Sequence, residues 1–169
     1  MAASFATAPS NDQAGIRKEV ITFTGYTAGT LNGAAEHIFQ LPRSGAQGLV
    51  AGNGWELIDV VLAVGVNTTH DMTTPLISAT VEKNTDGGTT ALATVPSLDN
   101  TAGTGRKTTR TAGTGIIPAV IHATQANRRF ADDDVAFVTV LEAGSNGTDP
   151  SDVSVQLSFA RIQDFDPLA

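Results

Sequence analysis

Cysteine is absent from this chain of 169 residues, and both charged and aromatic residues are scarce. Without cysteine there is no disulfide framework, no thiolate zinc site and no cysteine nucleophile. Charged residues make up 16% of the sequence, whereas about 25% is usual in soluble domains. The polar surface must therefore come largely from Thr, Ser, Asn and Gly, and a surface of this kind is suited to contact with other protein copies.

Long apolar runs and an excess of positive charge are missing as well. No stretch approaches ~18 uninterrupted apolar residues, so the sequence predicts no membrane span. Residues 1–15 lack the basic and apolar regions of a signal peptide. The formal net charge is −7, which argues against nucleic acid as a partner because affinity for phosphates depends on Lys and Arg. We expect a protein made in the cytoplasm, without membrane or nucleic-acid partners.

Strand signals dominate the chain after residue 16. Six segments combine β-branched or aromatic residues with apolar runs or period-2 alternation, and two further segments show a weaker version of the pattern. The six are 19–24, 36–41, 55–66, 76–84, 135–143 and 152–162, and the weaker two are 89–95 and 116–123, where Pro118 indicates an edge or a bulge. Turn clusters rich in Gly, Asn and Asp lie at 44–54, 84–88, 99–115 and 144–152. Residues 124–131 are expected to form one helical turn at most.

About eight strands with uneven loops predict an all-β fold, an antiparallel β-sandwich with jelly-roll connections. An immunoglobulin-like sandwich is the alternative. Residues 1–16 are small and polar and are expected to form a flexible N-terminal arm, followed by a single domain over 17–169. The even positions of 58–64 and the odd positions of 153–159 should face one shared core.

Three consecutive aspartates stand directly before the apolar segment 135–143. Asp132 and Asp134 are weak calcium candidates, with Asp149 or Asp152 as further ligands if the two strand ends meet in space. The other interpretation is a charged, solvated turn that keeps a very apolar strand from pairing wrongly. The sequence favours the turn, because the residues that follow do not provide the alternating oxygen ligands of a calcium-binding loop.

The three histidines, His37, His70 and His122, show no ligand spacing. No G-x-S-x-G nucleophile elbow is present either. The sequence therefore predicts no catalytic residues, no transition metal and no cofactor.

The segment 99–115 is unusual because "AGTG" occurs twice in it, on either side of Arg106, Lys107 and Arg110. It does not match a phosphate-binding P-loop, since Arg106 separates the glycine from the lysine. Two interpretations remain open. The segment is either a docking element whose cations meet acidic groups of a partner protein, or a mobile surface loop.

Three stretches carry a resemblance to a known class of proteins. They are "TLNGAAEHIFQLP" (30–42), "GWELIDVVLAV" (54–64) and "DDDVAFVTVLEAGSNGTDPSDVSVQLSFARI" (132–162). In this order they resemble the small β-sandwich virion proteins of tailed bacteriophages, in particular capsid decoration (cement) proteins and related head or tail accessory domains.

The resemblance implies a non-enzymatic structural protein on the capsid exterior, made in the host cytoplasm and commonly trimeric. Its partner would be the major capsid protein, whose neighbouring subunits it would clamp. The resemblance provides no residue signature for docking, so the arm 1–16 and the segment 99–115, with Arg106, Lys107 and Arg110, are our own candidates for capsid contact.

Two rival functions stay open at this point. A host-recognition or glycan-binding β-module of a tail or fibre would need exposed aromatic residues, for which Trp55 and Tyr26 are the large candidates. A jelly-roll enzyme of the cupin type would need at least two histidines and a glutamate that converge inside the fold. The directions of His37, His70 and His122 would help to separate these functions.

Overall fold

Two antiparallel five-stranded sheets and one short strand pair form the chain in the computed structural model. The structure describes residues 20–42, 54–67, 77–131, 133–143 and 149–161. The strands are β1 (Val20–Thr30), β2 (Ala34–Gln40), β3 (Trp55–Asn67), β4 (Ile77–Lys83), β5 (Leu92–Thr94), β6 (Ser97–Leu98), β7 (Gly105–Thr108), β8 (Ile116–Ile117), β9 (Val120–Ile121), β10 (Arg129–Phe130), β11 (Val135–Glu142) and β12 (Ser151–Arg161). A 3₁₀ turn at Asn100–Ala102 and a single helical turn, α1 (Gln125–Arg128), complete the described elements.

The sheets are built from strands that are distant in sequence. Sheet A has the order β1-β12-β3-β10, and β7 also pairs with β3; sheet B has the order β2-β11-β4-β6-β8, while β5 pairs with β9. The connections β1–β2, β3–β4 and β11–β12 each cross from one sheet to the other. The predicted all-β, antiparallel sandwich is confirmed. The jelly-roll connectivity stays a prediction, with which these crossings are consistent.

The core lies between the two sheets and consists mainly of Val, Leu and Ile with a few aromatic rings. Between residues 153 and 159 of β12 the odd-numbered residues are buried as predicted, because alternate side chains of a strand point to the same face. The buried faces of β12 and β4 comprise Val153, Val155, Leu157, Phe159, Ile77, Ala79 and Val81. The prediction for the odd face of 153–159 is confirmed.

A β-bulge corrects the predicted face of β3. Val60, Leu62 and Val64 are buried as expected, but Ile58 is 45% exposed. Opposite β12, Ser158 pairs with Asp59 and Phe159 with Leu57, so Ile58 is the extra residue of the bulge. A bulge shifts the alternation by one residue, and the core side of β3 therefore changes from even to odd positions towards Trp55.

Strand β1 is longer than the predicted 19–24 because it continues through Gly25. The imidazole ring of His37 on β2 packs against this glycine, where an added Cβ would lie 2.7 Å from the ring carbons. Glycine is therefore required by the close approach of the two edge strands rather than by a turn.

The weaker strand predictions hold in part. Strand β5 covers part of 89–95, and 116–123 is divided into β8 and β9 on either side of Pro118. The single helical turn within 124–131 is confirmed as α1. The short strands β6 and β10 were not predicted, and 99–115 is not the simple turn cluster that its composition suggested, because it contains β7.

Several predictions concern segments outside the described residues. The N-terminal arm 1–16, His70, Asp132 and most of the 44–54 and 144–152 turns belong to this group, so the domain boundaries also stay predictions. In the part of the chain that the structure describes, no helix has the length and hydropathy to cross a membrane.

Candidate docking surface

The segment 99–115 is fixed to the sandwich by hydrogen bonds at its beginning. The side chain of Asp99 accepts a hydrogen bond from Thr101 N (2.7 Å) and thereby caps the 3₁₀ turn. The buried Asn67, at the end of β3, donates from Nδ2 to the carbonyl oxygens of Asp99 (3.3 Å) and Gly103 (2.9 Å). These contacts join the first residues of 99–115 to the end of β3, which favours an ordered segment over a mobile loop.

Strand β7 then adds to the edge of sheet A. Lys107 pairs with Val64 and Thr108 with Ala63, both in antiparallel register. The next residue, Thr109, is 1% exposed. Its backbone N–H donates to Leu62 O (2.9 Å), and its hydroxyl oxygen accepts from Leu62 N (2.9 Å). Thr109 thus uses both its backbone and its side chain to hold the end of β7 against β3.

Glycines with left-handed backbone conformation explain part of the "AGTG" repeat. Gly103 and Gly105 have φ of 79° and 88°, and Gly115 has φ of 65°. At Gly115 an added Cβ would lie 2.1 Å from Asp99 Oδ1 and 2.4 Å from Ala102 N. This position therefore requires glycine for two reasons, its φ and its lack of a side chain.

The structure brings the three predicted cations to this one edge. We call residues 105–110 the docking edge. Arg106 and Arg110 are exposed, and Lys107 is half-buried. Arg110 reaches over the outer face of sheet A, where its Nη2 donates to Gln156 Oε1 (3.2 Å). A compact group of three positive charges on a chain of net charge −7 favours contact with an acidic surface.

A shallow groove of about 470 Å³ borders the docking edge. It is lined by Ala63, Val64, Arg106, Lys107, Thr108, Thr111 and Ile116. The lining is mainly apolar, with cationic side chains along one side. An extended chain with both apolar and acidic side chains would fit these two kinds of lining.

The aspartates proposed as calcium ligands do not come together as suggested. Asp134 lies before β11, where it accepts from Ala131 N (2.8 Å) and Asn84 Nδ2 (3.0 Å). Asp149 lies near the opposite end of β11, because Leu31 N donates to Pro150 O and Glu142 N to Gly33 O. Eight residues of strand, about 26 Å, separate these ends.

Asp152 is at that same far end and has its own partners. It accepts from the Tyr26 hydroxyl (2.9 Å) and from Gly29 N (3.1 Å). These two hydrogen bonds lower the pKa of Asp152, since they stabilise the carboxylate. The idea that Asp134 shares a calcium ion with Asp149 or Asp152 is therefore wrong. Asp132 lies outside the described residues, so calcium at Asp132 and Asp134 stays untested.

The two described histidines occupy separate places. His37 lies on β2 against Gly25 and Phe39, and its partial burial lowers its pKa. His122 follows β9, and its Nδ1 accepts from Thr124 N (3.0 Å). Over the described ranges, no group of three or more His, Asp or Glu side chains could hold a metal ion.

The two large aromatic candidates for glycan binding differ in exposure. Trp55 is buried in the core, where its Nε1 donates to Pro42 O (2.6 Å). It is therefore not available to stack on a sugar ring. Tyr26 is 57% exposed, and its hydroxyl is engaged with Asp152.

A second exposed surface lies on the outer face of sheet B. Ile38 on β2 and Leu141 on β11 are 65% and 46% exposed, and Phe137 pairs with Ile38 across the two strands. Outer faces of sandwiches usually carry polar residues. The sequence carries a signal for this surface, since the segment 135–143 has apolar residues at both odd and even positions.

Comparison with known proteins identifies no family for this chain. No protein-family model matches the sequence, and no curated protein matches it significantly. A function for this chain must therefore be inferred from its own surface and sequence.

Proposed function

We propose that this chain is a non-enzymatic virion structural protein, a capsid decoration protein that binds the outer surface of a bacteriophage head. The observation that supports the proposal most is the docking edge, in which a hydrogen-bonded edge strand presents Arg106, Lys107 and Arg110 on an acidic chain. The partner is the major capsid protein, and binding stabilises the head by linking its neighbouring subunits.

The electrostatic part of the proposal follows from the positions of the cations. Arg106 and Arg110 are exposed, so their attraction to an acidic capsid surface acts through water and is screened by salt. Such charges mainly increase the rate of encounter and fix the orientation of binding. Affinity must then come from contacts made by the backbone and the groove of the docking edge.

Self-association is the second part of the proposal. The outer face of sheet B, with Ile38 and Leu141, is the surface that we assign to contact with further copies of the chain in a homotrimer. Interfaces of permanent homo-oligomers are more apolar than the rest of a protein surface. This face lies in the sheet opposite the docking edge, so one trimer can present several docking edges to a capsid lattice at once.

Co-sedimentation with purified, expanded capsids of the phage that encodes the chain tests the docking function. Arg106→Ala should weaken binding mainly at low salt. Arg129→Ala is the charge-matched control, because it removes the same charge from β10 on sheet A. If Arg106→Ala and Arg129→Ala bind capsids equally well, the docking edge does not make the capsid contact.

Two further measurements separate the parts of the proposal. Light scattering coupled to size-exclusion chromatography should show a trimer that Ile38→Glu dissociates, whereas Thr24→Glu on the outer face of sheet A leaves it intact. A glycan array tests the rival function. A parent chain that ignores capsids and binds glycans is a host-recognition module instead.

A further inference from the structure

Strand β7 leaves one side of its backbone unused by sheet A. In an antiparallel pair, backbone N–H and C=O groups of alternate residues point towards the partner strand. Thr109 N donates to Leu62 O of β3, so the residues at even positions, Arg106 and Thr108, direct these groups away from β3. The described structure gives β7 no pairing partner other than β3. The open side therefore offers about four backbone hydrogen bonds to another chain.

We propose that the docking edge accepts an extended, acidic segment of a partner protein as an added strand beside β7. The inference rests on the proposed docking function and goes further, since it names the chemistry of the partner. Addition of a strand gains affinity from main-chain hydrogen bonds and specificity from alternate side chains.

The charges of the docking edge decide which strand is accepted. An exposed strand edge usually invites unwanted pairing, and charged side chains are one way to prevent it. Pairing with the β7 strand of a second copy of the chain would place like charges opposite each other. A neutral strand would gain no electrostatic attraction from Arg106 and Lys107. An acidic strand gains opposite-charge pairs across the new ladder. The same cations therefore reject a wrong strand and favour an acidic one.

The groove specifies the other side of the added strand. Alternate side chains of a strand point to opposite faces. One set would lie over the outer face of sheet A, near Arg106 and Arg110, while the other would lie towards the groove with Ile116 and Lys107. The expected segment therefore carries acidic residues at every second position on one face and apolar residues between them.

The docking edge is ordered before any partner binds. Thr109 is anchored to Leu62, Asn67 holds the carbonyl oxygens of Asp99 and Gly103, and Gly115 closes the segment through Asp99 N. An ordered edge loses little conformational entropy on binding, which favours capture of a single short strand.

Selection from a random heptapeptide library displayed on yeast tests the inference on the full chain. We expect enriched peptides with acidic residues at alternate positions. The background is measured with a variant in which Arg106, Lys107 and Arg110 are replaced by alanine. The proposal is overturned if the enriched peptides lack this alternation, or if no peptide is enriched above that background.

A proline substitution then tests the backbone contact. Thr108→Pro removes the outward N–H and spares the ladder with β3, since proline is tolerated on the open side of an edge strand. Thr108→Ala is the control, because both changes remove the hydroxyl that accepts from Arg110 N. The proline variant should bind a selected peptide about tenfold more weakly than the alanine variant does, as expected when a single net hydrogen bond is lost.

A modified peptide keeps the test independent of protein folding. N-methylation of the selected peptide at residues whose N–H groups face β7 should abolish binding, while N-methylation at the alternate residues should not. Equal effects at both sets of positions would exclude strand addition.

Capsid binding separates this inference from the proposed function. If Thr108→Pro binds capsids as well as the parent does, strand addition is wrong while the decoration function stands. If acidic peptides bind as described and capsids do not, the decoration function fails while the strand-accepting edge stands.

Discussion

Replacing Thr109 with valine should destabilise the fold and loosen the docking edge. The change removes one hydroxyl group and keeps nearly the same side-chain shape. In the structure this hydroxyl oxygen accepts from Leu62 N at 2.9 Å, in a position that is 1% exposed. Its loss leaves the N–H of Leu62 buried without this partner, because neither valine nor water can replace it there. A buried donor left without a partner costs about 1–3 kcal/mol.

Urea denaturation followed by circular dichroism measures this cost. We expect a lower midpoint with an unchanged slope, since the surface exposed on unfolding stays the same. Thr108→Val is the control, because Thr108 is the last residue of β7, directly before Thr109, and is exposed. Hydrogen exchange adds a local measurement, in which the amide of Leu62 should lose protection.

The reasoning fails if Thr109→Val changes the free energy of unfolding by less than about 0.5 kcal/mol, the size of an ordinary surface effect. Equal losses for Thr108 and Thr109 would also refute it. Because Thr109→Val leaves every cation in place, weaker capsid binding by this variant would further show that the order of β7 matters as well as its charge.

Three more predictions concern the core, a glycine and a histidine. Leu157→Ala should cost about 2–5 kcal/mol as a buried Leu truncation, whereas Gln156→Ala on the opposite face should cost little; equal losses in urea unfolding would contradict the assigned strand face. Gly115→Ala should lower the free energy of unfolding by about 1–3 kcal/mol in the same assay, because of the positive φ at this position and the steric conflict of a Cβ with the 3₁₀ turn. An unchanged midpoint would contradict this prediction and show that the turn adapts to the side chain. Burial lowers the pKa of His37 below 6.5, so the unfolded chain binds the proton more strongly than the folded chain does. The free energy of unfolding should therefore fall as the pH falls below 6.5. His37→Phe should remove the contribution of this histidine to that fall, which urea unfolding at pH 5 and pH 8 would measure.

The long strands could be predicted because their sequence patterns are local. Over 152–159 polar and apolar residues alternate without interruption, and the structure buries the apolar set. Segments 76–84 and 135–143 were found for similar reasons, and their boundaries differ from those of β4 and β11 by a residue or so. These patterns reflect burial on one or both faces of a sheet, which a sequence records directly.

The bulge at Ile58 could not be predicted from such a pattern. The apolar run 55–66 continues through the bulge, and the shift of face appears only in the pairing of β3 with β12. That pairing joins residues about a hundred positions apart in the chain. Where both faces of a strand are apolar, the sequence does not say which residue is extra.

Strand β7 could not be predicted because its sequence has no apolar residues, whereas the bulge was hidden in a segment with too many. Residues 105–108 contain glycine, two cations and threonine, with no apolar side chain to bury, and glycine is uncommon inside strands. The segment becomes a strand because β3 offers an edge and because Thr109 and Asn67 supply side-chain hydrogen bonds. The sequence singled out these cations as contact candidates, which stays a prediction, and the backbone order of the segment that carries them depends on contacts distant in sequence.

This order changes the physical basis of the proposed docking. A mobile basic loop would have to lose its conformational freedom on binding, at about 1–2 kcal/mol for each ordered backbone residue. An edge strand already fixed by Leu62 and Asn67 avoids most of that cost, so a few backbone hydrogen bonds can suffice for specific contact. Binding to an ordered edge should therefore depend on salt only in part, because screening weakens the contacts of Arg106 and Arg110 but leaves the backbone hydrogen bonds. A capsid affinity that vanishes at high salt would indicate attraction by charge alone, without strand addition.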